Sequence, residues 1–426
     1  MNPPVSTRPQ EDPAGSDPSL ERTQILGIGS FLAASWTWCI GMFLPVLLYR
    51  DLGVWSFLVF AVPNCVGAAL MGYVLRRPGA SEQMVRAHTA ACVWFSRVTV
   101  AFHAFFLMWI VGREGSAAPV ILGFLVNIAV NLLSTRLGWT GWAPAVLTYL
   151  TSIACACVMA LSGGLMAHPA TPPILPATDL LWLAPVCIFG FLFCPYLDLT
   201  FHAARRTLPG AAGTRAFVLG FGGLFFAMII LTLAYAGMFL RADPTFGLGG
   251  HVAAGEIQRI FGLAAVSGLF VHIASQAAFT MHAHLGMVSR TKSGSTWRMD
   301  PVSLACVILP MLLGLAAPSL PDFGGRYALA GSMSGGETIY RSFMAFYGLV
   351  FPAYVWICVL PAWNARPTRG QVLAFAAAVG IATPMFYMGF IERQMVWLGP
   401  GLGVVLTARL FAGLGGKRAA IETPGE

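Results

Sequence analysis

A chain of 426 residues that is 57% hydrophobic and only 10% charged excludes a soluble domain, which carries roughly a quarter charged residues. Its mean hydropathy is +0.73, and its charges fall in short clusters between apolar runs of roughly 20 residues, the length that crosses a hydrocarbon core of ~30 Å. The net charge of +8 is assigned to membrane-flanking loops and not to a nucleic-acid surface, because no basic stretch interleaved with aromatics lies outside the apolar runs.

Residues 1–24 are Pro-rich and charged at both signs, which predicts a disordered cytoplasmic tail. The first apolar run is too long for a signal-peptide core and lacks a small-residue cleavage site. Twelve helices are expected in a single transmembrane domain over 25–414: Ile25–Tyr49, Val54–Leu75, Thr89–Val111, Ala117–Leu133, Trp142–Met166, Leu180–Ala204, Ala216–Leu240, Arg259–Met287, Val302–Ala317, Thr338–Leu360, Val372–Phe390 and Met395–Leu414. The longest connections are Arg241–Gln258 and Pro318–Glu337, and residues 415–426 form a second cytoplasmic tail.

With the N-terminus inside, seventeen Lys and Arg fall on the inner side, seven fall on the outer side, and Arg97 is left within the membrane. This bias places both termini in the cytoplasm. The heavy excess of Arg over Lys fits a GC-rich bacterial genome and hence a bacterial cytoplasmic membrane. All nine cysteines lie in apolar runs and none forms a CxxC, which reads them as packing residues.

Two helices look built to break. The first reads GSFLAASWTWCIGMFLP, with Gly41 and Pro45 around the polar, aromatic centre Ser35, Trp36, Thr37 and Trp38. The sixth reads FGFLFCPYLDLTFH, with Gly190 before Pro195 and the ionisable Asp198 after Tyr196 and Leu197. If the first ten helices are two repeats of five, over about 25–166 and 180–360, these breaks occupy matching places. Five is odd, so the second repeat enters inverted, and the two helices after residue 372 are additions. Discontinuous helices at matching positions of inverted halves point to a transporter's central site.

On these features the chain resembles the LeuT-fold transporters of the amino acid–polyamine–organocation superfamily, nearest the sodium:solute symporters. The resemblance covers helices one to ten and is one of architecture. It implies an all-α polytopic protein with a 5+5 inverted repeat, and a substrate path lined by helices one, three, six and eight. Carried over by position, it sets Trp36, Thr37, Trp38, Gly41, Arg97, Pro195, Tyr196, Asp198, His272 and Gln276 around a small-molecule site. It also implies that helix-eight hydroxyls bind sodium, with Ser275 and Thr280 as candidates; five residues apart, these share a helical face poorly. Protons through Asp198 or His272 are the other choice of coupling ion.

Asp198 is the only acid well inside an apolar segment and Arg97 the only base, so each is expected to meet a partner or water. His272, Ser275 and Gln276 share one helical face, while His282 and His284 are expected at the cytoplasmic interface. His103, Asn64, Asn127 and Asn131 read as interhelical hydrogen bonders.

The leading expectation is a secondary transporter in the lipid bilayer that moves a small solute with sodium or protons and needs no cofactor. The runner-up is an intramembrane metal enzyme built on Asp198, His202, His282 and His284. A third is a transporter-like sensor or structural subunit. No GxxxxGK[ST] or GxSxG motif is present.

Overall fold

The structure is a computed structural model that describes residues 18–114, 117–136, 141–165, 172–242, 256–293, 299–322 and 333–412. The expected tail at 415–426, residues 243–255 and 323–332 of the two long connections and the first seventeen residues lie outside these. The rest of the N-terminal tail, from Pro18, is already helical, so the first helix starts earlier than its apolar run. Charged Glu21 and Arg22 extend it beyond the apolar stretch, and Glu21 pairs with Arg215 at 3.2 Å.

All described elements are helical, apart from isolated turns and one bridge residue. The first expected helix is two pieces, α1 (Pro18–Trp36) and α2 (Cys39–Leu52), bent by 56° across Thr37 and Trp38. α3 (Trp55–Val74) returns and leads through the short amphipathic α4 (Ala80–Ala87) into α5 (Thr89–Glu114). α6 (Ala117–Arg136) and α7 (Ala143–Leu161) follow. Next come α8 (Leu180–Phe193), a 3-10 turn over Cys194–Leu197 and α9 (Leu199–Thr207). α10 (Gly210–Leu219) runs through a π-helical stretch at Gly220–Phe225 into α11 (Phe226–Ala242). α12 (Glu256–Ser293), kinked at Gly262, is followed by α13 (Pro301–Ala316). α14 (Gly335–Ala345) and α15 (Phe351–Tyr354) form one rod with π turns at Phe346–Val350 and Val355–Val359. α16 (Arg369–Phe390) and α17 (Leu398–Phe411) close the chain.

Each of the twelve expected segments therefore coincides with helical structure. Among the described residues nine helices are long and apolar enough to cross a membrane, or ten with the bent pair, and Ala117–Leu133 and Met395–Phe411 are shorter apolar helices. This is an all-α polytopic membrane protein. The apolar side chains left exposed, such as Leu125, Leu309 and Leu373, lie on helices of membrane length or apolar composition, where lipid replaces water as the solvent.

Local signals set the helix starts. Asp300 accepts from the N–H groups of Val302 and Ser303 at the head of α13, Ser334 accepts from Glu337 on α14, and Thr368 with Gln371 forms a capping box on α16. Two glycines allow close helix crossings at the sixth helix. A Cβ on Gly67 of α3 would lie 2.2 Å from the Phe191 carbonyl oxygen of α8, and one on Gly190 would lie 2.8 Å from the Tyr347 carbonyl oxygen. Both contacts abut the broken turn of the sixth helix.

The two ends of the bundle differ. At one end Arg205 donates to the Leu75 carbonyl at 3.1 Å and exposed Arg76 and Arg77 follow α3; we call this the basic end. At the opposite, distal end, α2 finishes in Arg50 and Asp51. By charge count Arg50, Arg341 and Arg393 are among the seven outer-side arginines. The structure buries these three and Asp51, with side chains no more than 4% exposed. Arg50 forks onto both oxygens of Glu337 at 2.8 Å and onto Asp51 at 2.8 Å. Arg341 donates to Glu337 at 2.7 Å and to Asp51. Leu175 then donates to the Asp51 carbonyl, so the loop before α8 packs over this cluster.

Candidate functional site

The break in the first helix falls at Thr37 and Trp38, half a turn or so before the expected Cys39–Gly41. Its freed backbone groups are answered individually. The Cys39 N–H donates to His103 Nε2 at 3.2 Å, and the Cys39 carbonyl accepts from the Tyr340 hydroxyl at 2.9 Å. His103 Nδ1 lies 2.7 Å from the Thr99 carbonyl, which requires the proton on Nδ1 and leaves Nε2 as the acceptor. The helix therefore restarts where an imidazole from α5 is ready to receive it, and Gly41 and Pro45 lie inside α2.

The break in the sixth helix falls where the sequence placed it, at Cys194–Leu197, with Pro195 denying the ladder an N–H. Asp198, in extended conformation, caps the N-terminus of α9. Its Oδ1 accepts from the Thr200 N–H and hydroxyl, each at 2.7 Å. Its Oδ2 is buried and has no hydrogen-bond partner. The nearest base is His284 on α12, whose Nε2 stands 3.9 Å from Oδ2 and also lacks a hydrogen bond. His284 Nδ1 is held by the Ser96 hydroxyl at 3.1 Å.

The breaks lie side by side. The Thr200 hydroxyl reaches the Ser35 hydroxyl at 3.3 Å, and Thr280 of α12 donates to the Ala34 carbonyl at 3.3 Å. A cavity of about 10 Å³ separates them, lined by Trp36, Trp38, Gly41, Asn64, Cys194 and Tyr347. A single water needs ~10–15 Å³, so the site is closed around its own aromatic rings. Trp36 donates to Asn64 at 2.7 Å, and the Trp38 ring packs against Trp36, Tyr347 and His284 at 4.2, 5.4 and 5.6 Å between centroids. Toward the distal end an apolar cavity of about 50 Å³ adjoins through Phe191 and Tyr347 and ends at Arg341. Toward the basic end a vestibule of about 500 Å³ opens between Arg76, Arg77, Trp363 and Tyr196, the last a member of the broken turn.

Several expected residues are elsewhere. Arg97 does not meet Asp198: it pairs with Asp300 at 2.6 Å and reaches Ser303 at 3.3 Å. The cause is the packing of α5 along α13, which brings the Asp300 cap against Arg97. His272 and Gln276 also face away from the breaks, each bonding the Ser152 hydroxyl of α7 at 2.9 Å, and the Ser275 carbonyl accepts from Asn127 at 3.3 Å. Of the polar residues expected on this helix, Thr280 and His284 are the ones that meet the broken helices. Ser275 and Thr280 thus belong to different neighbourhoods.

The metal grouping does not assemble. His202 spends both ring nitrogens on the Tyr196 carbonyl at 2.9 Å and the Ser81 hydroxyl at 2.7 Å. His282 is exposed while His284 is fully buried, so the two do not share one environment, and His284 is not at an exposed interface. Among the described residues no group of three or more His, Cys, Asp and Glu could hold a metal ion. Sequence reasoning missed three members of the site: Tyr347, Asn64 as the partner of Trp36, and His284. His284 was detectable as the continuation of the i, i+4 series His272, Gln276, Thr280.

The sequence matches no protein-family model and no curated protein. Among solved structures it is similar to two mutants of the manganese transporter of Eremococcus coleocola, both 14% identical. One has a TM-score of 0.46 over 95% of this chain and 97% of that one. The other has 0.45 over 94% and 96%. That likeness is too remote to carry any residue's role to this chain.

Proposed function

We propose that this protein is a secondary transporter that moves a small solute by alternating access, on a LeuT-like plan of two inverted five-helix repeats plus two C-terminal helices. The observation that carries the reading is the pair of helix breaks meeting at mid-bundle, with the carboxylate of Asp198 at their junction. Irregular backbone at membrane depth is tolerated where it is buried in protein or lines a cavity, and broken helices in matching positions mark transporter sites. In this reading Trp36, Trp38, Asn64 and Tyr347 contact the solute, Tyr196 and Pro195 shape the inner passage, and Asp198 couples transport to an ion gradient. The closed distal charge cluster and the open basic-end vestibule describe a conformation facing the basic end, which the Arg and Lys bias assigns to the cytoplasm.

The test is a stability screen followed by uptake. Purified protein is heated with a panel of small solutes in sodium and in choline buffers, since a ligand at about a hundred times its Kd adds ~2.7 kcal/mol. Solutes that stabilise are then tested for accumulation in proteoliposomes under imposed sodium or proton gradients. At least one solute should stabilise the wild type but not Trp38→Ala, and should accumulate against its gradient. Normal coupled uptake by Asp198→Asn would remove Asp198 from the mechanism; failure of every stabilising solute to accumulate would overturn the transport reading.

A further inference from the structure

Asp198 and His284 have an unfinished polar chemistry. Both side chains are 0% exposed. Among the described residues no Lys or Arg stands within ion-pair distance of Asp198, and its one basic neighbour is His284. A lone carboxylate in such surroundings is strongly disfavoured as an anion. The N-terminus of α9 offsets part of this through Oδ1, while Oδ2 and His284 Nε2 face one another at 3.9 Å with no other hydrogen-bond partner.

We propose that Asp198 and His284 form one proton-binding site, in which a single proton is shared between Oδ2 and Nε2 and is the ion that drives transport. The inference rests on the transport reading only for that last clause. A closure of about 1 Å turns the 3.9 Å gap into an ordinary N···O hydrogen bond. The proton cancels the one charge that no cation balances. A hard cation such as sodium calls for several oxygen ligands, as hard cations in general do, and an imidazole is a poor member of such a set. Ser96 holds His284 through Nδ1, and Thr200 holds Asp198 through Oδ1, so neither ring nor carboxylate needs to rotate to bind or release the proton.

The other titratable groups near the pair do not replace it. Cys92 from α5, Cys194 from the broken turn and Tyr347 from the rod of α14 and α15 lie within electrostatic reach of Asp198. All three belong to residue types that lose their protons well above neutral pH. His103 lies within reach of His284, but both its nitrogens are engaged at the first break. The pair also sits between the elements that transport must move: α9 carries Asp198, α12 carries His284, and Trp38 of the first break lies against the imidazole. Separating α9 from α12 would break the shared hydrogen bond and release the proton, which supplies the coupling.

The experiment is infrared difference spectroscopy of the full-length protein in lipid, titrated over pH in sodium-free and sodium buffers. The wild type should show a protonated-carboxyl band whose titration is unaffected by sodium. Asp198→Asn should abolish that band. His284→Gln should keep it but shift its frequency and weaken proton binding about tenfold, roughly one pH unit. The inference is overturned if the band survives Asp198→Asn, if His284→Gln leaves frequency and midpoint unchanged, or if sodium displaces the proton. Because no solute is required, failure here is distinct from failure of transport: proteoliposome uptake with no proton signal at Asp198 overturns this inference alone. A proton signal in a protein that transports nothing leaves the site and removes its coupling role.

Discussion

Two places in this chain bury carboxylates beside bases, and they are completed differently. At the distal end Asp51 and Glu337 are matched by Arg50 and Arg341 through forked hydrogen bonds that leave none of the four carboxylate oxygens without a donor. At mid-bundle Asp198 has one oxygen bound and one facing a histidine across 3.9 Å. Both sites are fully desolvated, so burial alone does not separate them. Saturation does: a cluster in which every carboxylate oxygen has a donor has one low-energy arrangement and ties α2 to α14. A pair with one proton too few has two arrangements and can switch. Arginine, always charged and planar, suits the first task, whereas histidine, which titrates near neutrality, suits the second.

The contrast is sharpest in substitutions that remove the acid from each site. Glu337→Ala leaves two buried guanidinium groups short of their carboxylate. It should cost about 3–5 kcal/mol, the range for breaking a buried ion pair, read as a collapse of the thermal unfolding midpoint or loss of folded protein on size exclusion. An unchanged midpoint would mean the cluster holds nothing together.

The crossing behind the sixth-helix break gives the next largest effect. Gly67→Ala places a Cβ 2.2 Å from the Phe191 carbonyl oxygen, and overpacking of this kind costs about 1–3 kcal/mol. Because Phe191 also lines the central cavity, the same variant should shift solute affinity, and a variant as stable as wild type would show that α3 and α8 separate freely.

Trp36→Phe removes the donor to Asn64 and should cost about 1 kcal/mol in stability, measured by urea or thermal unfolding. No change would place water at Asn64 in place of the indole.

The smallest effect is expected at Asp198. Asn caps helices as well as Asp does, and the substitution removes a buried charge, so Asp198→Asn should move stability by no more than a few tenths of a kcal/mol. A loss comparable to that of Glu337→Ala would erase the distinction between the two sites and make Asp198 a structural residue.

The membrane segments were legible because the bilayer imposes a length and a polarity that no tertiary contact can override: each expected apolar run coincides with helical structure among the described residues. The sixth-helix break was legible for a similarly local reason, since Pro195 interrupts the backbone ladder wherever the helix packs. The first-helix break was found, but a few residues off. Gly41 and Pro45 fit within α2, and the chain instead opens at Thr37 and Trp38, where the His103 ring and the Tyr340 hydroxyl supply partners from 64 and 301 residues away.

The charges were the least legible. From sequence Arg50, Arg341 and Arg393 are counted only as outer-side charges, and Glu337 with Arg341 shows only an i, i+4 spacing. Their burial depends on Arg50 meeting Glu337 across 287 residues. Likewise Arg97 and Asp198, the one base and one acid inside apolar segments, do not pair, because α5 presents Arg97 to Asp300 instead.

The sequence by itself determined what bilayer and backbone chemistry dictate locally: an all-α polytopic chain, the placing of its helices, a proline-driven break and an acid beside it. Only the tertiary structure decided which polar groups meet. Whether a buried charge is paired, capped or left facing a histidine depends on distances between helices far apart in the chain, and hydropathy and periodicity carry no information about those distances.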